Sequence, residues 1–406
     1  MSDGRVERTE PLPYPFAAPT ALQVPPEWSE LRQTCPIARV TLPSGDEASL
    51  LTRYEDVRSV LADPRFSREL SAPGAARITD TESGGLFNSP VSRTLAAEGH
   101  ERWRRMVGKW FTAKRMSELR PGIEARTEQL VDEMLEHGRP ADLVTHVAFP
   151  LPVWVICDML GVPESDREAF AHWSDVSLSL TRFDEAEIDT AQAEFTAYLS
   201  ELVEGKRAHP GDDLLSRLMD ATDAEGRPMS GAALVATAQA LLVAGHETTA
   251  GMIAKMVALL LADRRHWERL LADRSLVRTA VEEVLRFDPN GGFGLPRFLS
   301  EDAVVGGDVV PSGTTVICSM AAANRDESAF EGADELDLGR SPNPHIAFGA
   351  GAHSCLGQPL ARTELQSVLD VLLRRLPDLE LAVEPGELRR VEGLVVGRLQ
   401  ELPVRW

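Results

Sequence analysis

The segment Phe348-Gly349-Ala350-Gly351-Ala352-His353-Ser354-Cys355-Leu356-Gly357 sets one thiol at the end of a glycine-punctuated loop. A helical pattern follows directly over 356–376, with Leu365, Leu369, Leu372 and Leu376 at helical spacing. A cysteine there meets the orphan N–H groups and the positive end of the helix dipole, which favour its thiolate. A thiolate is a strong soft ligand for a transition metal, so Cys355 reads as a metal ligand. A G-x-G-x-x-G phosphate turn would need glycine at 354, where serine stands, and no apolar strand leads into the loop. Cys35, Cys157 and Cys318 are widely scattered with no C-x-x-C pair. They read as small buried hydrophobes, not as a disulfide framework or a zinc site.

A second constellation interrupts the most apolar stretch of the chain, 232–261, at Ala244-Gly245-His246-Glu247-Thr248-Thr249. Ala244 and Gly245 carry almost no side chain, so a flat cofactor would fit close to the backbone there. Glu247 and Thr248 set a carboxylate beside a hydroxyl, and a threonine inside a helix competes for backbone carbonyls and bends it. Burying such a pair without a use is costly. His246-Glu247 opens H-E-x-x-H, but residue 250 is alanine, which excludes the metalloprotease reading.

The cysteine loop resembles the haem-binding loop of the cytochrome P450 family. Phe348, Gly349, Gly351, His353, Cys355 and Gly357 all fall at that pattern's positions, with Cys355 at the axial ligand. The resemblance runs from the early strands to Pro403-Val404-Arg405-Trp406, with the motifs in the family's order. It is to bacterial members, and the arginine-rich, lysine-poor composition suggests a GC-rich actinobacterial genome. It implies a mainly α fold with small β-sheets (α+β) and haem b (iron protoporphyrin IX) between the 230–262 helix and the Cys355 loop.

The same resemblance assigns roles. Residues 244–249 are similar to the family's distal oxygen-activation motif, with Ala244 and Gly245 beside the cofactor. Thr248 would steady the oxygen and a water, and Glu247 would belong to the proton-delivery route. His100 and Arg104 resemble its H-x-x-x-R on the C helix, and Arg297 stands where another propionate-binding arginine is found. His353 would make a fourth such contact, since buried carboxylates need charged partners. Glu283-Val284-Leu285-Arg286 resembles E-x-x-R, which fixes the proximal core. Glu335 stands where the family usually closes that pair with arginine, so either Arg325 or Arg340 substitutes, or the network is closed differently. Ala96-Ala97-Glu98-Gly99 replaces the common Asp-Pro-Pro-Glu. Substrate contacts by family position would be Leu86, Phe87, Leu178, Leu180, Leu241, Ala244, Gly292, Phe293, Gly294, Leu295, Leu394 and Val395. Each of these positions also suits ordinary core.

The activity implied is monooxygenation: one atom of O2 enters a hydrophobic small molecule by hydroxylation or epoxidation, in terpenoid, steroid or polyketide secondary metabolism or in xenobiotic oxidation. Two electrons would come from NAD(P)H through a separate ferredoxin and ferredoxin reductase, because no flavin or nicotinamide domain fits in the remaining sequence. Arg102, Arg105, Lys109, Lys114 and Arg115 form a basic run on this chain. It reads either as a solvated helix face or as a docking surface for that ferredoxin. A peroxide-driven or non-oxygenating haem enzyme and a non-catalytic haem binder or sensor are the alternatives; the Glu247-Thr248 pair favours O2 activation.

Elements that position these groups follow from periodicity. Helical patterns cover 100–117, 122–137, 144–160, 164–180, 184–208, 211–221, 230–262, 265–271 and 275–286. Short strands are expected at 38–42 and 48–52, over 297–305 and 308–318, and around Gly393 and Gly397. A short helix is expected over 54–62 and a long loop over 68–98. The proline-rich residues 1–30 read as a surface wrap. The 406 residues are 43% apolar, ample for an enclosed cofactor, and no linker or repeat divides them, so a single domain is expected. A net charge of −21 argues against general affinity for nucleic acid or anionic membrane. His246, Glu247 and Lys255 make the apolar stretch too polar for a lipid span, and the start MSDGRVERTEPLPYPF has no apolar signal core. A cytoplasmic enzyme is expected.

Overall fold

The computed structural model describes residues 10–79, 89–166, 169–290 and 292–406. The helix Gly231–Ala262 is the spine of the molecule. Ser230 starts it by accepting from the N–H of Ala233, and alanines, leucines and methionines bury it on almost every side. The helices Pro150–Leu160, Glu185–Ala208 and Gln358–Arg375 pack around it. Its apolar residues belong to a core cluster that draws members from Ala21 to Val404. The expected mainly α architecture with small sheets is what forms. Among the described residues no helix is long and apolar enough to cross a membrane.

The largest sheet has six strands. Ile37–Thr41 and Glu47–Leu51 pair antiparallel, close to the expected positions. Thr315–Cys318 then runs parallel to Glu47–Leu51, and Leu295–Leu299 lies antiparallel to it with Arg297 opposite Val316. Phe66–Ser67 closes one edge, Ser67 opposite Phe298. Continuing that register by one residue sets Arg68 against Arg297.

Several expectations are corrected. Within the expected 68–98 loop lies a helix, Pro90–Glu98, capped by Ser89 and started by proline at its first position. The expected 100–117 helix is His100–Val107, followed by a 3₁₀ turn, Gly108–Trp110. The chain restarts at Thr112, whose hydroxyl caps Ala113–His137, and this helix continues through Pro121 instead of breaking there. Proline inside a helix costs about 3 kcal/mol. Here Met116, Ile123, Leu130, Val131 and Met134 are buried from both sides of the proline, and burying each is worth about 1.5–3 kcal/mol. The expected 164–180 helix is reduced to Ala169–Ser177 after a 3₁₀ turn, and so ends before Leu178. Around Gly393 and Gly397 there are only isolated bridges; the C-terminal strands are Glu380–Leu381 and Pro403–Arg405. The proline-rich start is no mere wrap, since Tyr14 is buried and donates its hydroxyl to Phe293 O at 2.5 Å.

Candidate active site

The cysteine loop is shaped by what it touches. Gly351 has φ +70°, and a Cβ there would lie 2.6 Å from Ala62 Cα and 2.9 Å from Leu61 O. The loop is thus pressed against the end of the Tyr54–Ala62 helix at a point only glycine fits. Cys355 N–H donates to Phe348 O at 2.8 Å, closing the loop on itself. The ring of Phe348 lies under the Arg362 guanidinium, 4.6 Å from its centroid, and Arg362 is held by Glu282. Cys355 keeps access to solvent within a dense shell of protein. That shell pushes its thiol upward, while the N–H groups of Gly357 and Gln358 and the charges of Arg104 and Arg362 pull the other way. The helix begins at Gln358, so its N-terminal donors do face the sulfur as the sequence implied.

A cluster of basic groups stands beside the loop. Arg104 donates to Ser354 O at 2.7 Å and to Ser354 Oγ at 3.3 Å, tying its helix to the residue before Cys355. The rings of His100 and His353 meet at 3.9 Å between centroids, tilted by 42°. Burial first, then the charges of His100, Arg68, Arg297 and Arg104, lower His353 to about 4. Burial pulls Arg297 down to about 10, with Arg68 adding to it. Among the described residues none of these five groups has a carboxylate within salt-bridge reach, and His353 Nδ1 is buried with no partner. Five basic side chains with no carboxylate paired to them among the described residues fit a dianion, as the two propionates of haem are. His100, Arg104, Arg297 and His353 are brought together as expected. Arg68 was missed; its only signal was its place one residue past a strand that pairs with Arg297's own.

On the spine helix, from 236 to 261, only Ala240, Ala244, Gly245 and Thr248 escape full burial. Ala240, Ala244 and Thr248 are spaced by four and so form one accessible stripe. Thr248 is its single polar member, with Oγ1 donating to Ala244 O at 2.8 Å. Gly245 has another reason to be small: a Cβ there would lie 2.9 Å from Ile156 Cγ1, so it serves packing against Pro150–Leu160. Glu247, next to the stripe in sequence, is fully buried, and Arg398 Nη1 donates to its two oxygens at 2.9 and 3.1 Å. About two turns further on, Lys255 reaches Asp288 at 2.9 Å, and Arg390 reaches the other oxygen of Asp288 at 3.1 Å. Neither arginine partner was foreseen, because both come from the C-terminal segment.

The Glu283 and Arg286 side chains form a bidentate pair at 2.7 and 2.9 Å, both fully buried. Arg340 is the third member, donating from Nε at 3.0 Å, and Asn343 and Asp337 N–H complete the carboxylate's partners. Glu335 contributes only its backbone carbonyl, to Arg286. Arg325 goes elsewhere, to Asp334 and Phe287 O. Of the expected substrate positions, Leu178, Leu180, Leu394 and Val395 meet through Val395 N–H to Leu178 O and Leu180 N–H to Gly393 O. Leu180, Phe293 and Val395 are buried in a cluster with Tyr14, and Leu178, Leu241 and Leu394 in the main core. Gly292, Gly294 and Leu295 lie in and beside the start of Arg297's strand. Leu86 and Phe87 fall outside the described residues. In the basic run, Arg102 is turned inward to Glu98 and Asp223, whereas Arg105 and Lys109 are exposed.

Residues 168–385 match the family model for cytochrome P450. The chain is 43% identical over 401 residues to mycinamicin IV hydroxylase/epoxidase of Micromonospora griseorubida, covering 98% of this chain and 99% of that one. It is 42% identical over 400 residues to nocardicin C N-oxygenase of Nocardia uniformis, covering 98% and 100%. The LnmA cytochrome P450 hydroxylase of the leinamycin pathway of Streptomyces atroolivaceus superposes with a TM-score of 0.87 at 40% identity, over 97% of this chain and all of that one. With identity above 40% over nearly the whole of two curated relatives and the same fold in a solved one, this chain belongs to the cytochrome P450 family.

Proposed function

We propose that this P450 monooxygenase hydroxylates or epoxidises a large hydrophobic natural product of the macrolide or related polyketide kind, fed by NAD(P)H through a ferredoxin and its reductase. Family membership brings haem-thiolate chemistry, O2 as oxidant and dependence on redox partner proteins. The macrolide assignment is supported by the mycinamicin relative and by the apolar character of the family's substrate positions in this chain. The observation that carries the oxygenase reading is the accessible stripe of Ala240, Ala244 and Thr248 on an otherwise buried helix.

Bound haem supplies reduction of O2 and transfer of one oxygen atom, with thiolate donation favouring O–O cleavage. Cys355 would supply the thiolate that holds the iron, with its loop fixed by the Phe348 carbonyl and the Arg362-braced ring of Phe348. His100, Arg104, Arg297 and His353 hold the propionates, with Arg68 beside them. Ala244 would leave room for the cofactor, and the Thr248 hydroxyl would hold a water where protons are needed. Glu247, screened from solvent, supplies them. Arg105 and Lys109 are the exposed charges that steer an acidic ferredoxin. The net charge of −21 argues against attraction to anionic membrane.

A carbon monoxide difference spectrum of the reduced protein tests the ligand, and an imidazole-type spectrum would sink the assignment. Turnover of a macrolide panel with ferredoxin, reductase and NADPH tests the reaction. Thr248→Ala is expected to keep NADPH consumption and lose product to peroxide. Product from peroxide alone at the same rate as with the redox chain would instead favour a peroxide-driven enzyme.

A further inference from the structure

Glu247 is one member of a buried chain of four charged or titratable groups. Arg398 bridges it to Asp175, donating from Nη2 to Asp175 Oδ2 at 2.8 Å. Asp175 sits on the Ala169–Ser177 helix and keeps partial solvent access. On the other side of Glu247 lies His246, fully buried, with Phe149 edge-on to its ring at 5.5 Å. The His246 Nδ1 atom is 2.7 Å from Leu242 O. A carbonyl oxygen only accepts, so Nδ1 carries the hydrogen. In a neutral ring Nε2 would then present a lone pair to Glu247 Oε1, 3.4 Å away, acceptor against acceptor. Among the described residues Nε2 has no other partner.

Charge counting leads to the same place independently. Two carboxylates, Glu247 and Asp175, share one guanidinium, Arg398. The other charge acting on Asp175, Arg182, is at the surface. One negative charge is therefore left over across the group; Asp175 keeps partial solvent access, but Glu247 and His246 have none, and charge unbalanced there is expensive. A single added proton removes both faults.

We propose that His246 is the proton carrier of the distal site: an imidazolium paired with Glu247, reloaded from Asp175. This rests on the monooxygenase reading. Each turnover, RH + O2 + NAD(P)H + H⁺ → ROH + H2O + NAD(P)⁺, joins two protons to the oxygen atom that leaves as water. One of them passes from His246 Nε2 to Glu247 and on, through the water held by Thr248, to that oxygen. His246 regains a proton from Asp175 by way of water. Asp175 Oδ1 and Arg398 Nε, both buried without partners among the described residues, are the polar atoms that would hold such water. Asp175 then exchanges with solvent.

The test is long-range proton–nitrogen NMR on holoprotein carrying 15N-histidine, reduced and bound to carbon monoxide so that it is diamagnetic. At neutral pH His246 is expected to show both ring nitrogens protonated, and Glu247→Gln to convert it to a neutral ring protonated at Nδ1 only. A neutral His246 in the unsubstituted protein overturns the proposal. A spectrum lacking the thiolate-type carbon monoxide band would instead overturn the monooxygenase reading, so the two failures are distinguishable. In turnover, His246→Gln is expected to lower product formed per O2 about tenfold or more, with peroxide rising to match. Arg398→Lys should restore part of what Arg398→Ala loses, and an unchanged product ratio in His246→Gln also refutes the role.

Discussion

Replacing Gly351 by alanine separates backbone strain from steric conflict within one loop. At φ +70° an L-residue costs about 1–2 kcal/mol. The new methyl would also meet Ala62 Cα at 2.6 Å and Leu61 O at 2.9 Å, both backbone atoms that no rotamer change can move aside. Overpacking of that kind adds about 1–3 kcal/mol, for a total of about 2–5 kcal/mol. Gly349 is the control: its φ is similar, at +73°, but a Cβ there has nothing nearer than Leu295 Cδ1 at 3.7 Å. Gly349→Ala should therefore cost the strain alone, about 1–2 kcal/mol. Because Gly351 lies four residues before the ligand, relief of its clash pulls the loop off the Tyr54–Ala62 helix. Gly351→Ala is expected to show a lower urea midpoint than Gly349→Ala and a loss of the thiolate-type carbon monoxide band. Equal midpoints and equal spectra for the two variants would refute the argument.

Gly245→Ala should destabilise by about 1–3 kcal/mol through Ile156, and Ile156→Val in the same chain should recover part of it in urea unfolding. Arg340→Ala is expected to cost about 1–3 kcal/mol, because the buried Glu283 carboxylate loses the Nε–H donor that its two oxygens share, with faster haem loss to apomyoglobin. Burial alone holds the Glu364 carboxyl well above the ordinary glutamate range, and neither of its oxygens has a partner among the described residues. The folded chain then keeps a proton that the unfolded chain releases above about pH 4.5. This contribution is intact below that pH and is lost as pH rises toward the folded value, at up to about 1.4 kcal/mol per pH unit. Glu364→Gln removes that slope, so urea midpoints at pH 5, 6 and 7 should diverge in its favour, and parallel midpoints would contradict it.

The ligand loop was legible because its demands are local: a positive-φ glycine, a thiol and a helix start lie within ten residues. The alternation of the central apolar helix was legible for the same reason. What escaped was decided by contacts between distant segments. Pro121 reads as a break until Met116 and Ile123 are seen buried on either side of it. That Gly245 must also be small because of Ile156 shows only when the two helices are packed together. The partner of Glu283 was narrowed to Arg325 or Arg340, and only packing chose Arg340. Arg398 lies 151 positions from Glu247 and in no pattern, so nothing in the sequence marked it as that acid's partner.

The C-terminal segment that carries Arg390 and Arg398 has a consequence for how the protein is made. On the ribosome, every buried acid of the spine region is synthesised before the guanidiniums that neutralise it. A nascent chain ending before Arg390 holds Asp288 with Lys255 alone, and Glu247 without Arg398. The central helix then cannot be sealed around those acids, however much of the core has already collapsed. Closure of the enzyme is therefore expected to wait for the segment that carries Arg390 and Arg398, and a chain cut just before it should be cleaved faster by a protease than the full chain.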